Sequence, residues 1–185
     1  MSAITFADKP TLTGDRVILR PMTVKDAEPF FASLGDEEST RLTGTHQTFT
    51  FEQIKNWTAS RNDADDRLDL SIIDRKTGDW VGELAITDWD EDNHSCGFRI
   101  AIGPNGRNRG LGSEATRMIV DYVFEHLPIN RIGLEAYAFN PRAIHVYERC
   151  GFTREGVARS ALYWDGDYHD AILMSILRDE WLAKG

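Results

Sequence analysis

Cysteine is scarce in this 185-residue sequence, which contains only Cys96 and Cys150. The two lie far apart and form neither a C-x-x-C motif nor a cluster with histidine, so the sequence indicates no zinc site and no disulfide framework. We expect two free, mostly buried thiols and no bound metal ion.

Long apolar runs are also missing. No segment approaches the ~18 consecutive apolar residues of a membrane-spanning helix. The opening stretch, MSAITFADKP, lacks the basic flank and the apolar core of a signal peptide. We therefore expect a cytoplasmic protein without a membrane partner.

Positive charge is in deficit: 21 lysines and arginines face 30 aspartates and glutamates, which gives a formal net charge of −9. This balance disfavours a nucleic-acid partner and suits a cationic small molecule or a basic peptide better. The 41% of hydrophobic residues is enough for a substantial core. We expect residues 1–185 to form one domain, with two very small domains as the alternative.

The N-terminal half carries both strand and helix signals. DRVILRP is typical of a short strand. Thr23 is positioned to cap a helix that ends at Gly35, and Thr50 with Gln53 forms a capping box for a second helix. Three β-rich runs with turn residues between them then predict an antiparallel meander: LDLSIID, WVGELAITDW and SCGFRIAI.

The C-terminal half contains the clearest helical pattern, in SEATRMIVDYVFEHL. One face of this helix is predicted to hold Ala115, Met118, Ile119, Tyr122, Val123 and His126. RIGLEAY then predicts a strand, and NPRAIHVYERCGF a short helix with Pro141 near its start and Gly151 at its end. The remaining segment is predicted to form two strands joined through the turn DGD.

The long helix begins directly after the loop RNRGLG. Gly110 and Gly112 would let the backbone approach a ligand closely, and the free N–H groups of a helix start favour an anion such as a phosphate. The helix dipole contributes only ~0.3–1 kcal/mol, so Arg107 and Arg109 would help to hold a diphosphate. The alternative is that the glycines only shape a loop.

Two nucleotide-binding patterns compete for this loop. A Walker loop is excluded because G-x-x-x-x-G-K-[ST] does not occur. GLGSEA satisfies the looser G-x-G-x-x-A dinucleotide pattern, and Glu135 lies 23 residues after Gly112, near where a ribose-binding acid is expected. Against this, the loop after Ile102 is longer than a tight dinucleotide turn, and antiparallel runs flank a single crossover.

Two motifs resemble one known family. RNRGLG is similar to the R/Q-x-x-G-x-G/A pyrophosphate loop of the GNAT N-acetyltransferase superfamily, and NPRAIHVYERCGF resembles its N-x-x-A-x-x-x-Y-x-x-x-G-F segment. The likeness covers nearly the whole chain. Its opening and its ending are most similar to the ribosomal-protein N-terminal acetyltransferase (RimJ/RimL-like) branch, which also contains enzymes that act on small amines.

The resemblance implies a fold and a cofactor site. The fold would be of the α/β class (α+β type), with a mixed, mostly antiparallel sheet flanked by helices and a V-shaped opening between its two middle strands. Acetyl-CoA would be the acetyl donor, with backbone groups near Ile100 and Ile102 pairing with its pantetheine arm. The further cofactor-binding residues would be Arg107, Arg109, Gly110, Leu111, Gly112, Ser113, Asn140, Ala143 and Tyr147.

The resemblance also implies catalytic roles in the attack of a primary amine on the thioester. Tyr147 would be the general acid, since a phenol with a pKa of ~10 is protonated at neutral pH. Glu135 resembles the general base of some family members, and Glu83 is a second candidate. The acceptor would be a protein N-terminus or a small amine. A homodimer is a possible assembly. The alternatives are an NAD(P)-dependent oxidoreductase and a non-catalytic acyl-CoA-binding regulatory module.

Overall fold

A computed structural model describes residues 6–184, in which eight strands form one sheet in the order β1-β2-β3-β4-β5-β6-β8-β7. The strands are β1 (Leu12–Thr13), β2 (Val17–Pro21), β3 (Leu68–Asp74), β4 (Trp80–Asp90), β5 (Ser95–Ile102), β6 (Arg131–Tyr137), β7 (Thr153–Trp164) and β8 (Asp167–Leu177). The α-helices are α1 (Ala27–Leu34), α2 (Glu37–Thr43), α3 (Phe51–Ser60), α4 (Leu111–His126), α5 (Pro141–Cys150) and α6 (Arg178–Leu182).

The predicted meander is confirmed, because β3 pairs antiparallel with β4, and β4 with β5. Strand β3 is buried along its whole length. Side chains of a strand alternate between the two faces of a sheet. Ile72 accordingly belongs to the core that includes the side chains of α4, whereas Ile73 belongs to a smaller core with Phe30 of α1 and Ile54 of α3. The helices therefore cover both faces of the sheet.

Strands β5 and β6 are connected through α4 and pair in parallel. Their register runs from Ser95↔Arg131 to Gly97↔Gly133. Beyond this point β5 continues along β4, and β6 continues along β8. The two middle strands thus diverge, which confirms the predicted mixed sheet and its V-shaped opening.

The predicted start at Thr23 needs correction, because its side chain makes no capping hydrogen bond and a short 3-10 turn, Val24–Asp26, separates it from α1. The predicted end of α1 at Gly35 and the predicted ends of α3 and α5 that follow are confirmed. The Thr50 hydroxyl accepts from the Gln53 backbone N–H, while the Gln53 side chain accepts from the Thr50 N–H. In α5, Pro141 occupies the first turn, and Gly151 ends the helix with a left-handed φ of 106°. These features are local, which is why the sequence alone could predict them.

Three elements were not predicted: β1, α2 and α6. The predicted face of α4 also needs correction, because His126 is exposed, while Leu111, Val120 and Phe124 are buried. The buried face of α4 is therefore wider than predicted. His126, in the last turn, contacts the ring of Tyr122, with ring centroids 4.9 Å apart.

Cys96 and Cys150 are both buried and free, as predicted. Within residues 6–184, no helix has the length and the apolar character needed to cross a membrane.

Candidate functional site

The V-shaped opening between β5 and β6 forms a cleft of about 490 Å³. Residues of α2, β4, β5, β6, α4 and α5 line it. Every site residue predicted from the sequence except Arg109 lies on this lining: Glu83, Ile100, Ile102, Arg107, Gly110, Leu111, Gly112, Ser113, Glu135, Asn140, Ala143 and Tyr147.

The start of α4 faces the cleft. Gly110 precedes the helix in the left-handed conformation, with a φ of 75°, and no side chain caps the helix. The first N–H groups of a helix have no acceptor within it, so Leu111, Gly112 and Ser113 can present theirs to an anion. A Cβ at Gly112 would lie 3.1 Å from Ile102 Cγ1. The glycine therefore keeps the space between α4 and β5 open.

The two arginines of the loop do not point in the same direction. Arg107 lines the cleft, but its guanidinium donates to Asp36 Oδ2 and Glu38 Oε2 at 2.5 and 2.6 Å. Arg109 Nη2 donates to Asp74 Oδ2 at 2.5 Å, at the end of β3. The structure therefore places the Arg109 side chain away from the cleft, contrary to the expectation that it faces the phosphates.

Two further arginines, Arg99 and Arg142, line the cleft and were not predicted from the sequence. Arg142 lines the cleft, and its Nη1 donates to Asn108 Oδ1 at 2.6 Å. It lies between Asn140 and Ala143 of the second motif, and this position was the signal that could have revealed it. The Asn140 side chain itself accepts from the Ala143 backbone N–H at 3.2 Å and so caps α5.

Tyr147 lies on the inner face of α5 and is only 9% exposed. Its ring makes edge contacts with Phe98 and Phe152, at centroid distances of 6.4 and 6.0 Å. Burial, with a further contribution from nearby Cys150, raises the pKa of Tyr147 to about 12. The phenol is therefore protonated throughout the neutral range and can donate a hydrogen bond or a proton there.

Glu83 is the most deeply buried acidic side chain of the cleft lining, at 2% exposure. Its Oε1 accepts from Arg99 Nη2 at 3.4 Å, whereas its buried Oε2 has no hydrogen-bond partner in the protein. Burial raises the pKa of Glu83, and Arg99 opposes this shift. Burying a carboxyl oxygen without a hydrogen-bond partner costs folding free energy. A shifted carboxyl pKa in a cleft is typical of functional sites.

Glu135 differs from Glu83 in its surroundings. It is exposed and projects from β6, on the opposite side of the opening. Its charge adds to the effect of burial in raising the pKa of Tyr137. The cleft thus carries two carboxyl groups, one buried and one exposed, in addition to the phenol of Tyr147.

Comparisons with known proteins agree with this geometry. The chain matches the family described as Acetyltransferase (GNAT) domain over residues 16–153. A Bacillus subtilis protein named "Putative ribosomal N-acetyltransferase YdaF" is 33% identical over 104 residues, or 56% of this chain and 57% of that protein. The spermidine N(1)-acetyltransferase of Vibrio cholerae is 28% identical over 113 residues, or 61% of this chain and 65% of that protein.

A solved structure extends the likeness to the whole fold. The crystal structure of spermidine N-acetyltransferase from Vibrio cholerae in complex with CoA and spermine superposes with a TM-score of 0.83 at 21% identity. The match covers 91% of this chain and 99% of that one.

Proposed function

We propose a function for this chain on the premise that it belongs to the acetyltransferase (GNAT) domain family, as its match over residues 16–153 shows. It is an acetyl-CoA-dependent N-acetyltransferase that acetylates an amine. One observation carries the assignment of residues, namely that an open helix start, a buried phenol and a buried carboxyl group line the same cleft. The sheet formed from β1 to β8 supports our further proposal that residues 1–185 are one domain.

The cofactor residues follow from the lining of the cleft. We assign the diphosphate to the backbone N–H groups of Leu111, Gly112 and Ser113, because their helix start is uncapped and open. The exposed edge of β5 near Ile100 and Ile102 would pair with the pantetheine arm. Asn140 and Ala143 would shape the wall formed by α5. Acetyl-CoA supplies the activated acyl group as a thioester.

This assignment predicts that CoA stabilises the protein. A ligand at 100 times its dissociation constant adds ~2.7 kcal/mol to the free energy of unfolding, which raises Tm by about 5–10 °C for a domain of this size. NAD should produce no such shift. A thermal-shift titration with both compounds checks this, and stabilisation by NAD without stabilisation by CoA would contradict the acetyltransferase assignment.

Gly112→Val tests the helix start itself. The valine side chain would project between α4 and Ile102, where the Cβ alone already comes within 3.1 Å. We expect the KM for acetyl-CoA to rise about tenfold or more, since charge-assisted hydrogen bonds contribute ~1.5–3 kcal/mol. Gly156→Val on β7 is the matched control, because a Cβ there meets no atom within 4 Å. Unchanged cofactor kinetics in folded Gly112→Val would show that the diphosphate lies elsewhere.

We assign the acid to Tyr147 and the base to Glu83. Tyr147 is protonated at neutral pH and is held by its ring contacts on α5. The raised pKa and the unpartnered oxygen of Glu83 fit a group that takes a proton from the attacking amine, directly or through water. Glu135 is the alternative base, because it lines the same cleft.

We infer that the acceptor is a small cationic amine. Glu135 is exposed on the cleft lining, where its carboxylate can attract a cation, and the chain carries a net charge of −9. An aliphatic amine with a pKa of ~10.4 is neutral in only about one of 2,500 molecules at pH 7, so it needs a base such as Glu83. The likeness to a spermidine N(1)-acetyltransferase supports this class of acceptor.

A protein N-terminus is the second candidate, because of the likeness to YdaF. An α-amine with a pKa of ~8 is about one-tenth neutral at pH 7, so it depends less on a base. Mass spectrometry of spermidine and of N-terminal peptides incubated with acetyl-CoA and the protein separates the two. Acetylated spermidine is the expected product, and acetylation confined to peptide N-termini would overturn the small-amine assignment.

A further inference from the structure

Arg107 has little capacity left for a phosphate. In addition to Asp36 and Glu38, its Nη2 donates to Ser39 Oγ at 2.5 Å, and its Nε donates to Ile102 O at 3.3 Å. The side chain is 9% exposed. All three guanidinium nitrogens therefore already have acceptors, and two of these acceptors are carboxylates.

The partners of Arg107 depend on it in turn. Its hydrogen bond is the main reason why the pKa of Asp36 is lowered. Turning the largely enclosed guanidinium toward a diphosphate would break both of its ion pairs, including the one with the exposed Glu38, and would leave two carboxylates near the anion. The structure thus favours Arg107 in its present position.

Helix α2 is the element that Arg107 holds. None of its side chains is fully buried, so hydrophobic packing fixes it only weakly. Its first turn is attached to Arg107, whereas its end at Gly44 lies against β6, where a Cβ would come within 2.5 Å of the Tyr137 hydroxyl oxygen. Arg41 adds a contact over the Phe139 ring at 4.4 Å. The helix therefore crosses from the α4 loop to β6.

This path makes α2 a wall of the cleft. Ser39, Leu42, Thr43 and Thr45 lie on the cleft lining, as do Glu135 and Tyr137 of β6. A change at the attachment to Arg107 would therefore shift one wall of the cleft.

We propose that Arg107 is a positioning residue that fastens α2, as the acceptor-side wall, to the loop before α4, while Arg142 supplies the side-chain cation for the diphosphate. This inference rests on the proposed acetyltransferase site. Arg142 suits the second role because it lines the cleft and its donor meets the neutral amide of Asn108 instead of a carboxylate. A guanidinium that is not paired with an acid can bind a phosphate without first breaking an ion pair.

Three variants separate the two roles. Arg107→Gln removes the positive charge of the attachment, and the double variant Asp36→Asn/Glu38→Gln removes the two negative charges that pair with it. Asparagine caps a helix as well as aspartate does, so the double variant keeps the start of α2. Arg142→Gln tests the cation. The readouts are the affinity for CoA by calorimetry and the deuterium exchange of residues 37–43.

We expect Arg107→Gln and the double variant to speed exchange in α2 about tenfold or more and to leave the dissociation constant of CoA within about threefold. Arg142→Gln should raise that constant about tenfold or more and leave α2 exchange unchanged. With spermidine as the acceptor probe, the first two variants should raise the KM for spermidine and not the KM for acetyl-CoA.

The opposite pattern would overturn the inference. If Arg107 binds the diphosphate, Arg107→Gln weakens CoA binding at least tenfold, and the double variant strengthens it because the guanidinium is released. Unchanged exchange in α2 would equally contradict the attachment. A wild-type protein that binds no CoA would instead refute the proposed cofactor site, while the exchange data would still decide whether Arg107 holds α2.

Discussion

Replacing Tyr147 with phenylalanine will lower kcat by about one to three orders of magnitude, the usual effect of losing a general acid. The substitution keeps the ring and its contacts with Phe98 and Phe152 and deletes only the hydroxyl. Because the hydroxyl acts mainly in the transition state, the loss should appear in kcat, with the affinity for CoA almost unchanged.

The raised pKa of Tyr147 refines this role. A thiol has a pKa of ~8.5, whereas burial raises the pKa of Tyr147 to about 12. Complete proton transfer from the phenol to the leaving thiolate would therefore be uphill. A hydrogen bond that strengthens as negative charge develops on the sulfur is the better description, and it has the same consequence for Tyr147→Phe.

Tyr163→Phe is a suitable control, because Tyr163 is exposed on β7 and does not line the cleft. Both variants should be compared under conditions in which chemistry limits the rate. Turnover by folded, CoA-bound Tyr147→Phe within about twofold of wild type would remove the catalytic role of the hydroxyl. An unaffected rate would then leave Tyr147 as a packing residue of α5.

The sequence predicted those parts of the site that depend on nearby residues. Gly110 adopts a left-handed conformation within the RNRGLG loop, and Gly151 ends α5 in the same conformation. The capping box of Thr50 and Gln53 spans one helical turn. In each case the reason for the residue lies within a few positions along the chain.

The side chains of the loop arginines could not be predicted in this way. Arg107 is 71 positions from Asp36, and Arg109 is 35 positions from Asp74. A loop motif specifies the local backbone conformation. Tertiary packing determines which carboxylate lies within reach of each arginine side chain. The position of α2 on the cleft depends on tertiary packing in the same way. Its existence has a local signal, because Asp36 before Glu37 and Glu38, with Gly44 at the end, favours a short helix.

The choice between the two carboxylates also required the structure. In the sequence, Glu135 and Glu83 both lie in apolar strands. Glu83 is surrounded by β3 and β5, the neighbours of β4, whereas Glu135 lies where β6 has separated from β5. Burial therefore distinguishes them, and only the sheet order reveals it.

Glu83→Gln is expected to reduce kcat/KM by about two to four orders of magnitude near pH 7, the range for a positioned general base. The variant keeps the size of the side chain and removes its ability to accept a proton. Glu135→Gln is the matched control from the other side of the cleft, and we expect it to have the smaller effect. A larger loss in Glu135→Gln would transfer the role of base to Glu135.

The pH dependence separates catalysis from structure. A base works in its ionised form, so the contribution of Glu83 is present above its raised pKa and is lost as the pH falls through that value. In Glu83→Gln the amine must lose its proton unaided. The deficit relative to wild type should then shrink as the pH approaches the pKa of the amine, ~10.4 for an aliphatic amine.

Glu83→Gln should lower the activity without lowering the free energy of unfolding. A carboxyl group whose pKa is raised in the folded protein lowers the free energy of unfolding above its unfolded pKa, because the folded state holds the proton more tightly. Glu83→Gln removes this cost, so at neutral pH its free energy of unfolding should be at least that of wild type. Thermal unfolding measured beside the pH–rate profile checks this. A variant that is both less stable and equally impaired at every pH would show that Glu83 supports the fold and does not act as the base.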